Sequence, residues 1–406
     1  MLSSTCPTAR RRTVLAVAAT GLLAILAACA GGDDTAAPTT PPTTAPAPPT
    51  AAPTTAPPPT TAAPTTAAPT TAPPTTAAPT TAPPTTAPAT TQPPASQTLR
   101  QPLTGQPLPD ANWLINRPAL VVKIDNVGPA RSRHNGLGAA DIVFEEIVEG
   151  NATRFAAVFH SRDSNPVGPI RSGRSQDVDL LTALRYPLFA WSGGNPTVER
   201  TIAASSLVDL NWQDTPSTYY RGPGSVPHNL YSSTERLYQW IPYGHPGAPP
   251  QQFAYLEEGQ TFSGDPVAGV DASVGNNRVS WNWSPDHHAF MRSQGGSAHV
   301  DQQHGPIGAT NVVLMVVEYF PDPAETRSPM AQTIGNGPAY IFSDGRALEA
   351  RWSRLSADDP IRLQATGTGE VIPINPGNTW IELMRAGENP SGDINWPTAE
   401  FTIRYP

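Results

Sequence analysis

Arg171 and Arg174 lie three residues apart in a glycine- and serine-containing stretch before a predicted helix, and Arg154 lies in the preceding predicted hairpin. Guanidinium groups bind carboxylates and phosphates through paired N–H donors, and a helix N-terminus adds free N–H groups. The pattern therefore predicts a site for a phosphate, a polymer phosphodiester or a peptide carboxylate. The sequence leaves open an alternative, an internal salt-bridge network. Its acidic members would be Glu145, Glu146, Glu149 and Asp177.

The same hairpin carries acidic residues that could transfer protons. Glu145 and Glu149 are four residues apart in a strand-like stretch, so the two-residue period of a strand predicts that both project from one face. Two such carboxylates could act as general acid and base or hold a hard cation. Charge pairing with Arg154 explains them equally well, because no ligand spacing is distinctive.

A histidine in a polar turn, His228, is a further candidate. Its imidazole could serve as a general base or a ligand, although a lone histidine is more often a structural residue. Glu145, Glu149 and His228 are therefore the candidate catalytic residues. The candidate ligand-binding residues are Asp125, Asn126, Arg154, Arg171, Arg174 and Asn229.

Histidines and aspartates also gather in the later half of the sequence. Imidazole and carboxylate groups suit Zn²⁺ or a related metal, but the H-E-x-x-H spacing is absent and the residues fall in loop-rich sequence. We therefore predict no metal site and no cofactor. The residues concerned are His287, His288, His299, His304, Asp286 and Asp301.

Known catalytic fingerprints are missing from the sequence. Ser192-Gly193-Gly194-Asn195 follows a predicted strand but does not match Gly-x-Ser-x-Gly. No phosphate-binding loop or dinucleotide-binding fingerprint is present. The sequence therefore gives no basis for assigning a serine hydrolase, an NTPase or a dehydrogenase.

The candidate residues are positioned by a predicted α/β (or α+β) module that covers residues 99–245. Apolar runs and stretches of helical spacing alternate there, separated by glycine turns. The predicted strands cover residues 119–125, 141–149, 153–160 and 187–191, and the predicted helices cover 177–184 and 197–204.

Residues 250–406 are predicted to form a mostly β module. Short segments rich in tryptophan, valine and tyrosine are broken there by turn residues, and no long helical pattern occurs. The predicted strands cover residues 279–283, 311–319, 339–342, 347–352 and 379–384. The boundary between the modules is predicted in the proline- and glycine-rich stretch 242–250.

Residues 1–28 have the pattern of a lipoprotein signal peptide. Three arginines precede an apolar run of 15 residues, Val14 to Ala28, which is shorter than the roughly 20 residues of a membrane-spanning helix. The run ends Leu26-Ala27-Ala28-Cys29, as in a bacterial lipobox, so Cys29 is the predicted lipidation site. An ordinary signal with an incidental cysteine is the alternative. The chain is therefore predicted to be held on the extracytoplasmic side of the cell membrane by a lipid anchor.

Residues 29–98 are predicted to be a disordered linker. An uncharged tract of threonine, alanine and proline, residues 35–97, holds 20 of the 50 prolines of the chain. Such a tract has little to bury and favours extended conformations. It is predicted to be a stalk or a simple spacer between the membrane and the folded part.

Composition limits the possible partners. The chain of 406 residues has a formal net charge of −8, which argues against nucleic acid as a partner. Its two cysteines fall in the predicted signal and at the predicted lipidation site, so none remains for a disulfide or a thiolate site. Lys123 is the one lysine of the chain.

Several strings, taken together and in order, resemble the YerB-type lipoproteins, a bacterial envelope family. They are Pro-Leu-Thr-Gly (102–105), Asn-Arg-Pro before the strand into Asp125-Asn126, Ala-Asp-Ile-Val-Phe-Glu-Glu (140–146), Glu149-Gly150, Thr-Arg-Phe (153–155), Gly-Pro-Ile-Arg-Ser (168–172), Pro-His-Asn-Leu-Tyr (227–231) and Asn-Pro-Gly-Asn-Thr-Trp-Ile (375–381). The resemblance covers residues 100–385. It implies a lipoprotein with an N-terminal and a C-terminal module, and it implies no established activity.

Two functional hypotheses follow. In the first, a membrane-anchored cell-envelope lipoprotein binds an anionic envelope ligand or partner through the arginine loop. In the second, an envelope hydrolase or transferase acts on a cell-wall polymer, with Glu145 or Glu149 as acid or base and His228 assisting. The second hypothesis requires these groups to meet around one cleft with Arg171. A cell-wall polymer or an envelope protein is the expected partner.

Overall fold

The computed structural model describes residues 99–108, 113–387 and 400–406, all within one compact unit. The predicted signal peptide, the lipidation site Cys29 and the predicted linker lie outside the described residues. Within the described part, no helix has the length and apolar character needed to cross a bilayer.

The helices of the described part are short and lie mainly in its first half. The α-helices are α1 (Trp113–Asn116), α2 (Gly128–Arg131), α3 (Gln176–Leu181), α4 (Pro196–Ala203) and α5 (Thr234–Tyr238). Single 3₁₀ turns cover Leu137–Ala139, Glu149–Asn151, Thr182–Leu184, Pro216–Thr218 and Pro285–His287. The side chain of Asn195 begins α4 by accepting hydrogen bonds from the N–H groups of Thr197 and Val198.

Strands make up most of the remaining regular structure. In the first half they are β1 (Leu120–Asp125), β2 (Ile142–Ile147), β3 (Thr153–Phe159), β4 (Leu188–Trp191), β5 (Val208–Asn211), β6 (Tyr220–Arg221) and β7 (Leu230–Tyr231). In the second half they are β8 (Asp265–Pro266), β9 (Gly269–Val274), β10 (Asn277–Ser284), β11 (Ala289–Gln294), β12 (Ser297–Ala298), β13 (Val300–Asp301), β14 (Gly305–Pro306), β15 (Gly308–Ala309), β16 (Asn311–Val317), β17 (Tyr319–Asp322), β18 (Glu325–Ala331), β19 (Gly335–Ser343), β20 (Arg346–Arg354), β21 (Arg362–Ala365), β22 (Thr379–Arg385) and β23 (Phe401–Arg404).

Eleven of the described strands form one central sheet, which combines strands from both halves of the chain. Its order is β21-β20-β19-β16-β22-β2-β3-β1-β4-β5, with β8 beside β20. Strands β1, β4 and β5 are parallel to one another, as are β2, β22 and β16, and β3 is antiparallel to both β1 and β2. These six strands therefore point the same way, and their carboxyl ends share one edge of the sheet.

A second sheet packs across one face of the central sheet. It contains six of the described strands, in the order β12-β11-β10-β9-β23 with β15 beside β11. Trp281 of β10 meets Trp380 of β22 edge to face, with ring centroids 5.3 Å apart. Phe290 of β11 packs similarly against Phe342 of β19, with centroids 6.0 Å apart. The apolar contact between the sheets joins the two halves in one core.

Successive side chains of β1, β2 and β3 point to opposite faces of the central sheet, and both faces are covered by other elements. The helix face carries Lys123 and Glu146 and is covered by α3, whereas the β face carries Glu145 and Phe155 and is covered by the second sheet. All three strands are buried along their whole length, as expected when both faces of a sheet are covered.

The predicted fold class is confirmed for the described residues. The predicted strands of the first half correspond to β1, β2, β3 and β4, and the predicted helices correspond to α3 with its 3₁₀ extension and to α4. The predicted strands of the second half correspond to β10, β16, β19, β20 and β22. Local pattern was sufficient here because each segment carries its own apolar period and its own turn residues.

Lys123 lies at the centre of a buried ion cluster on the helix face. Its Nζ donates to Glu146 Oε1 and to Asp177 Oδ1, each at 2.6 Å, and all three side chains are excluded from solvent. Burial and the neighbouring Asp177 charge raise the pKa of Glu146 to about 7 despite the Lys123 ammonium. One cation therefore has to balance two acidic groups within the protein interior.

We predict that Lys123→Met destabilises the protein by about 3–5 kcal/mol, because it leaves two buried carboxyl groups without their cation. The free energy of unfolding is to be measured by urea titration of the full chain. Glu257→Gln is the control, since Glu257 belongs to an exposed ion pair with Arg100 and its loss should cost less than about 1 kcal/mol. Equal losses for the two variants would contradict this account.

Candidate functional site

The carboxyl edge of the parallel strands gathers most of the predicted site residues. Asp125 ends β1, and the chain re-enters the sheet at this edge with Arg154 in β3. Ser192 follows the last residue of β4 and leads into the loop before α4. Open α/β sheets commonly bind ligands outside the carboxyl ends of their strands. The topology therefore brings together residues that are distant in sequence.

Glu149 and two arginines form an ion cluster at this edge. Arg174 donates from Nε to Glu149 Oε2 at 2.8 Å and from Nη2 to Glu149 Oε1, and Arg154 Nη2 lies 3.3 Å from the same Oε1. Burial of Glu149 opposes its ionisation, but the Arg154 charge and the Arg174 hydrogen bond outweigh burial and lower its pKa to about 2. Burial and the adjacent Arg174 charge lower the pKa of Arg154 to about 10. Glu149 is therefore a fixed anion between two guanidinium groups.

A cavity of about 550 Å³ opens beside this cluster. Arg174 and Glu149 form one wall, and the loop from Ser192 to Asn195 forms another. The hairpin of β17 and β18 contributes Glu325, Arg327 and Ser328. Ser172 and Gly150 also line it. Most of its lining side chains are therefore polar, and its glycines leave room near the backbone.

Asp125 holds His228 and Arg171 on the helix face of β1. The carboxylate of Asp125 is fully buried, and its Oδ2 lies 2.6 Å from His228 Nδ1 and 3.1 Å from Arg171 Nε. The side chain of His228 keeps 20% of its surface exposed. A buried carboxylate that bonds one imidazole nitrogen fixes the orientation of the ring, as in catalytic histidine–aspartate pairs. The structure thus brings together three of the predicted residues.

The structure does not bring Glu145 to this group. Glu145 lies on the β face, where it accepts hydrogen bonds from Arg292 Nη2, from Asn126 Nδ2 at 3.0 Å and from Thr153 Oγ1 at 2.6 Å. It is fully buried, and its partners occupy both carboxylate oxygens. The convergence of Glu145 with His228 that the enzymatic hypothesis requires is therefore not found.

The prediction that Glu145 and Glu149 share a strand face is wrong. Strand β2 ends at Ile147, and Glu149 begins a 3₁₀ turn in which Gly150 has a φ of 66°. The two-residue period no longer applies beyond the end of the strand. Glu149 therefore joins the arginines of the helix face, whereas Glu145 stays under the second sheet.

Asn126 and Asn229 have structural hydrogen bonds. Asn126 donates from Nδ2 to Glu145 and to Thr153 Oγ1, and it accepts from Gln294 Nε2 at 3.0 Å. Asn229 braces the turn before it by donating to the carbonyl oxygens of Gly222 and Gly224 at 3.3 and 2.9 Å. That Asn126 and Asn229 bind a ligand stays a prediction.

A chain of buried histidines on the β face was not predicted from the sequence. His134 Nδ1 lies 2.7 Å from His299 Nε2, His299 Nδ1 lies 2.7 Å from Arg292 Nη1, and His134 Nε2 lies 2.6 Å from the Asp125 carbonyl oxygen. Because Arg292 only donates and a carbonyl only accepts, both rings must carry their proton on Nε2. Burial lowers the pKa of His134 to about 4 and, with the Arg292 charge, also lowers the pKa of His299.

Arg292 is the cation that unites this network. It also lies 3.7 Å from Glu382 Oε1, which accepts a hydrogen bond from Trp281 Nε1 at 3.0 Å. Burial and the Glu145 charge raise the pKa of Glu382 well above its usual range. No local sequence signal could have found this set, because Arg292 and Glu145 are 147 residues apart and His134 and His299 are 165 residues apart.

The other histidines and aspartates of the later half are scattered. His287 bonds Ser284 Oγ at 2.8 Å, and Asp301 accepts hydrogen bonds from the backbone of Gln303 and His304. Among the residues described, no group of three or more histidine, cysteine or acidic side chains is arranged to hold a metal ion.

Comparison with known proteins identifies the family. Residues 103–268 match the family model described as Protein of unknown function (DUF3048) N-terminal domain, and residues 270–381 match the corresponding C-terminal domain. The chain belongs to the DUF3048 family. The resemblance predicted from the sequence is thereby confirmed, as is the architecture of two modules.

Relatives of this DUF3048 chain come from Bacillus subtilis. One is YerB of strain 168, named as a candidate lipoprotein, which is 27% identical over 301 residues that cover 70% of this chain and 86% of the relative. The crystal structure of the YerB protein from Bacillus subtilis aligns with a TM-score of 0.61 and 23% identity, covering 75% of this chain and 99% of that chain. The structural likeness shows a shared fold.

The two DUF3048 domains are joined through the central sheet. Strand β2 of the N-terminal domain pairs in parallel with β22 of the C-terminal domain, with Ile142 opposite Thr379 and Glu145 opposite Glu382. The buried contact between Arg292 and Glu145 crosses the same junction. Burial of charge at this junction therefore depends on residues from both domains.

The neutral state of His134 makes the stability of this DUF3048 protein depend on pH. An unfolded histidine binds a proton near pH 6.5, whereas native His134 binds one only near pH 4. Between these values the unfolded state holds more protons, so acidification favours unfolding. We predict that acidification from pH 7 to pH 5 lowers the free energy of unfolding of wild type by about 2 kcal/mol more than that of His134→Gln.

Urea unfolding of both proteins at the two pH values measures this difference. His287→Gln is the control, because His287 is an exposed histidine outside the buried histidine chain. If His134→Gln and wild type lose the same free energy on acidification, His134 does not stay neutral in the native protein.

Proposed function

We propose that this protein is a membrane-anchored lipoprotein of the cell envelope whose folded part binds a small oxyanion-bearing ligand in the cavity beside Arg174. The observation that carries the proposal is the cavity of about 550 Å³ at the carboxyl edge of the parallel strands, with Arg174 and Arg327 in its lining. Its volume falls within the roughly 300–1,000 Å³ typical of small-molecule sites.

The charge balance around the cavity favours an anion. Arg174 and Arg327 line it together with Glu149 and Glu325, and Arg154 lies behind Glu149. Three guanidinium groups therefore face two carboxylates, in a chain whose net charge is −8. A ligand with one negative charge would complete the balance.

Arg174 retains donors for such a ligand. Of its five N–H groups, three donate to Glu149 Oε1, Glu149 Oε2 and the Gly173 carbonyl oxygen. The other two N–H groups make no hydrogen bond within the described residues, and Arg174 lines the cavity. Because Glu149 already fixes the guanidinium plane, little side-chain entropy is lost when an anion binds.

The arginines, and not the start of a helix, carry this recognition. The first N–H groups of α4 are satisfied by Asn195 Oδ1, at 2.8 Å from Thr197 N and 3.0 Å from Val198 N. Asp177 likewise occupies the N–H group of Arg174 before α3, at 2.7 Å. The hydroxyl groups of Ser172 and Ser192 add neutral hydrogen-bonding groups to the lining.

Two observations support the membrane anchor. Leu26-Ala27-Ala28-Cys29 has the lipobox pattern, and the Bacillus subtilis relative is named as a candidate lipoprotein. A lipid on Cys29 and the tract from residue 35 to 97 would place the folded part on the outer side of the membrane at the end of a long tether.

We predict that the protein binds glycerol 3-phosphate or N-acetyl-D-alanine, which carry a phosphate and a carboxylate, more tightly than uncharged glycerol. Isothermal titration of the full chain measures the three affinities. Arg327→Gln should weaken oxyanion binding about three- to fivefold, because Arg327 is 85% exposed and solvent screens its charge. Arg174→Ala should weaken it about tenfold or more.

Arg362→Gln is the matched control, since Arg362 is an exposed arginine on β21 at the far edge of the central sheet. The Arg362→Gln variant should bind the oxyanions with the affinity of wild type. The proposal is overturned if neither oxyanion binds, or if Arg327→Gln and Arg174→Ala bind as tightly as the control. Arg327→Gln keeps the test valid should Arg174→Ala fail to fold.

A separate prediction concerns the anchor. Cys29→Ser removes the thiol that would receive the lipid, so the chain should move from the membrane fraction to the soluble fraction of the expressing bacterium. Fractionation followed by immunodetection measures the distribution. A Cys29→Ser chain that stays with the membrane as fully as wild type would contradict lipid anchoring.

A further inference from the structure

A second cavity, of about 340 Å³, lies away from the arginine cavity and combines flat apolar rings with polar side chains. Tyr220, Tyr231 and Pro223 come from β6, β7 and the turn between them, and Gln302 comes from the loop after β13. None of these residues lines the arginine cavity. The second cavity is therefore a distinct candidate binding site.

Two tyrosines give this cavity an aromatic wall. Tyr220 and Tyr231 are paired across β6 and β7, and their rings are stacked with centroids 6.1 Å apart and planes 27° apart. Tyr231 is buried beneath Tyr220, and Tyr220 keeps 40% of its surface exposed. The Arg236 guanidinium also lies over the Tyr220 ring, with its carbon 5.8 Å from the centroid, so neighbours on two elements hold this partly exposed flat surface in place. Such a surface suits the apolar C–H face of a sugar ring.

The turn between the tyrosines is built to hold this wall in place. A Cβ on Gly222 would lie 2.7 Å from Tyr231 Cδ2, so a side chain at this position would displace the ring. Gly224 has a φ of +111° and lies against the guanidinium of Arg133. Asn229 fixes the turn through hydrogen bonds to both glycine carbonyl groups. The wall is therefore formed before any ligand arrives.

Side-chain amides, which both donate and accept hydrogen bonds, line the cavity together with the rings. Asn135 is held by a hydrogen bond from Nδ2 to the Arg133 carbonyl oxygen at 3.0 Å, and Tyr231 Oη donates to the same oxygen at 3.3 Å. Gln302 is held by its backbone N–H, which donates to the His134 carbonyl oxygen at 2.8 Å. Amide side chains donate and accept at once, which matches the neighbouring hydroxyl groups of a sugar.

From this combination we propose that the second cavity binds a sugar ring of a glycan. The Tyr220 ring stacks on the C–H face of the pyranose, and the amides of Asn135 and Gln302 bond its hydroxyl groups. The volume is at the lower end of the roughly 300–1,000 Å³ of small-molecule sites, which is room for one or two rings. Arg133 also lines the cavity, and its guanidinium is a further donor for sugar hydroxyl groups.

Binding of tri-N-acetylchitotriose and of maltotriose to the full chain tests the proposal, in a detergent that contains no sugar. Isothermal titration gives the affinities. We expect at least one trisaccharide to bind, Tyr220→Ala to weaken that binding about tenfold, and Tyr220→Phe to bind within about twofold of wild type because it keeps the ring. Tyr243→Ala is the matched control, since Tyr243 is a fully exposed tyrosine outside the cavity.

Absence of binding by both trisaccharides overturns the proposal. So does equal binding by Tyr220→Ala and Tyr243→Ala. The unfolding midpoint of each variant, measured in parallel, identifies a loss of affinity that comes from loss of folding, and Gln302→Ala then provides a second test on a surface loop. Arg327→Gln should leave sugar binding unchanged, which separates this site from the proposed oxyanion site.

Discussion

Strands β1, β2 and β3 carry Lys123, Glu145, Glu146 and Arg154, and solvent reaches almost none of their surface. A buried charge is tolerated when partners neutralise it and hydrogen bonds satisfy its remaining atoms. Here the partners come from elements on both sides of the sheet. Asp177 before β4 serves the helix face, and Arg292 from the second sheet serves the β face. The two domains are thus joined by charge as well as by apolar contact. Separating them would leave the buried carboxylate of Glu145 without the guanidinium of Arg292.

The arginine loop forms the internal ion network that its sequence left open as one of two interpretations. Arg174 and Arg154 are members of an internal ion network through Glu149, and Arg171 is paired with Asp125. The same pairing holds the Arg174 guanidinium in place in the wall of the cavity. An internal salt bridge and a ligand site therefore need not exclude each other, since the bridge supplies the fixed geometry that recognition requires.

The sequence was a good guide wherever information was local. Apolar period and glycine turns located β1 to β4, α3 and α4, and the lipobox pattern and family strings gave the class of protein. The expected shared face of Glu145 and Glu149 failed at a single point, because β2 ends at Ile147 and the chain turns at Gly150. The pairing of β2 with β22 and the contact of His134 with His299 were out of reach, since each joins residues whose local sequences carry no sign of the other.

Lys123 has a consequence for how this protein can be handled. It is the one lysine of the chain, and its ammonium group is excluded from solvent inside the central sheet. Reagents that acylate amines, lysine-directed cross-linkers and lysine-specific proteases therefore find no lysine target on the native surface. Their reaction at Lys123 requires the helix face of the sheet to be uncovered, as by displacement of α3, so the rate of labelling there reports the opening of this part of the fold.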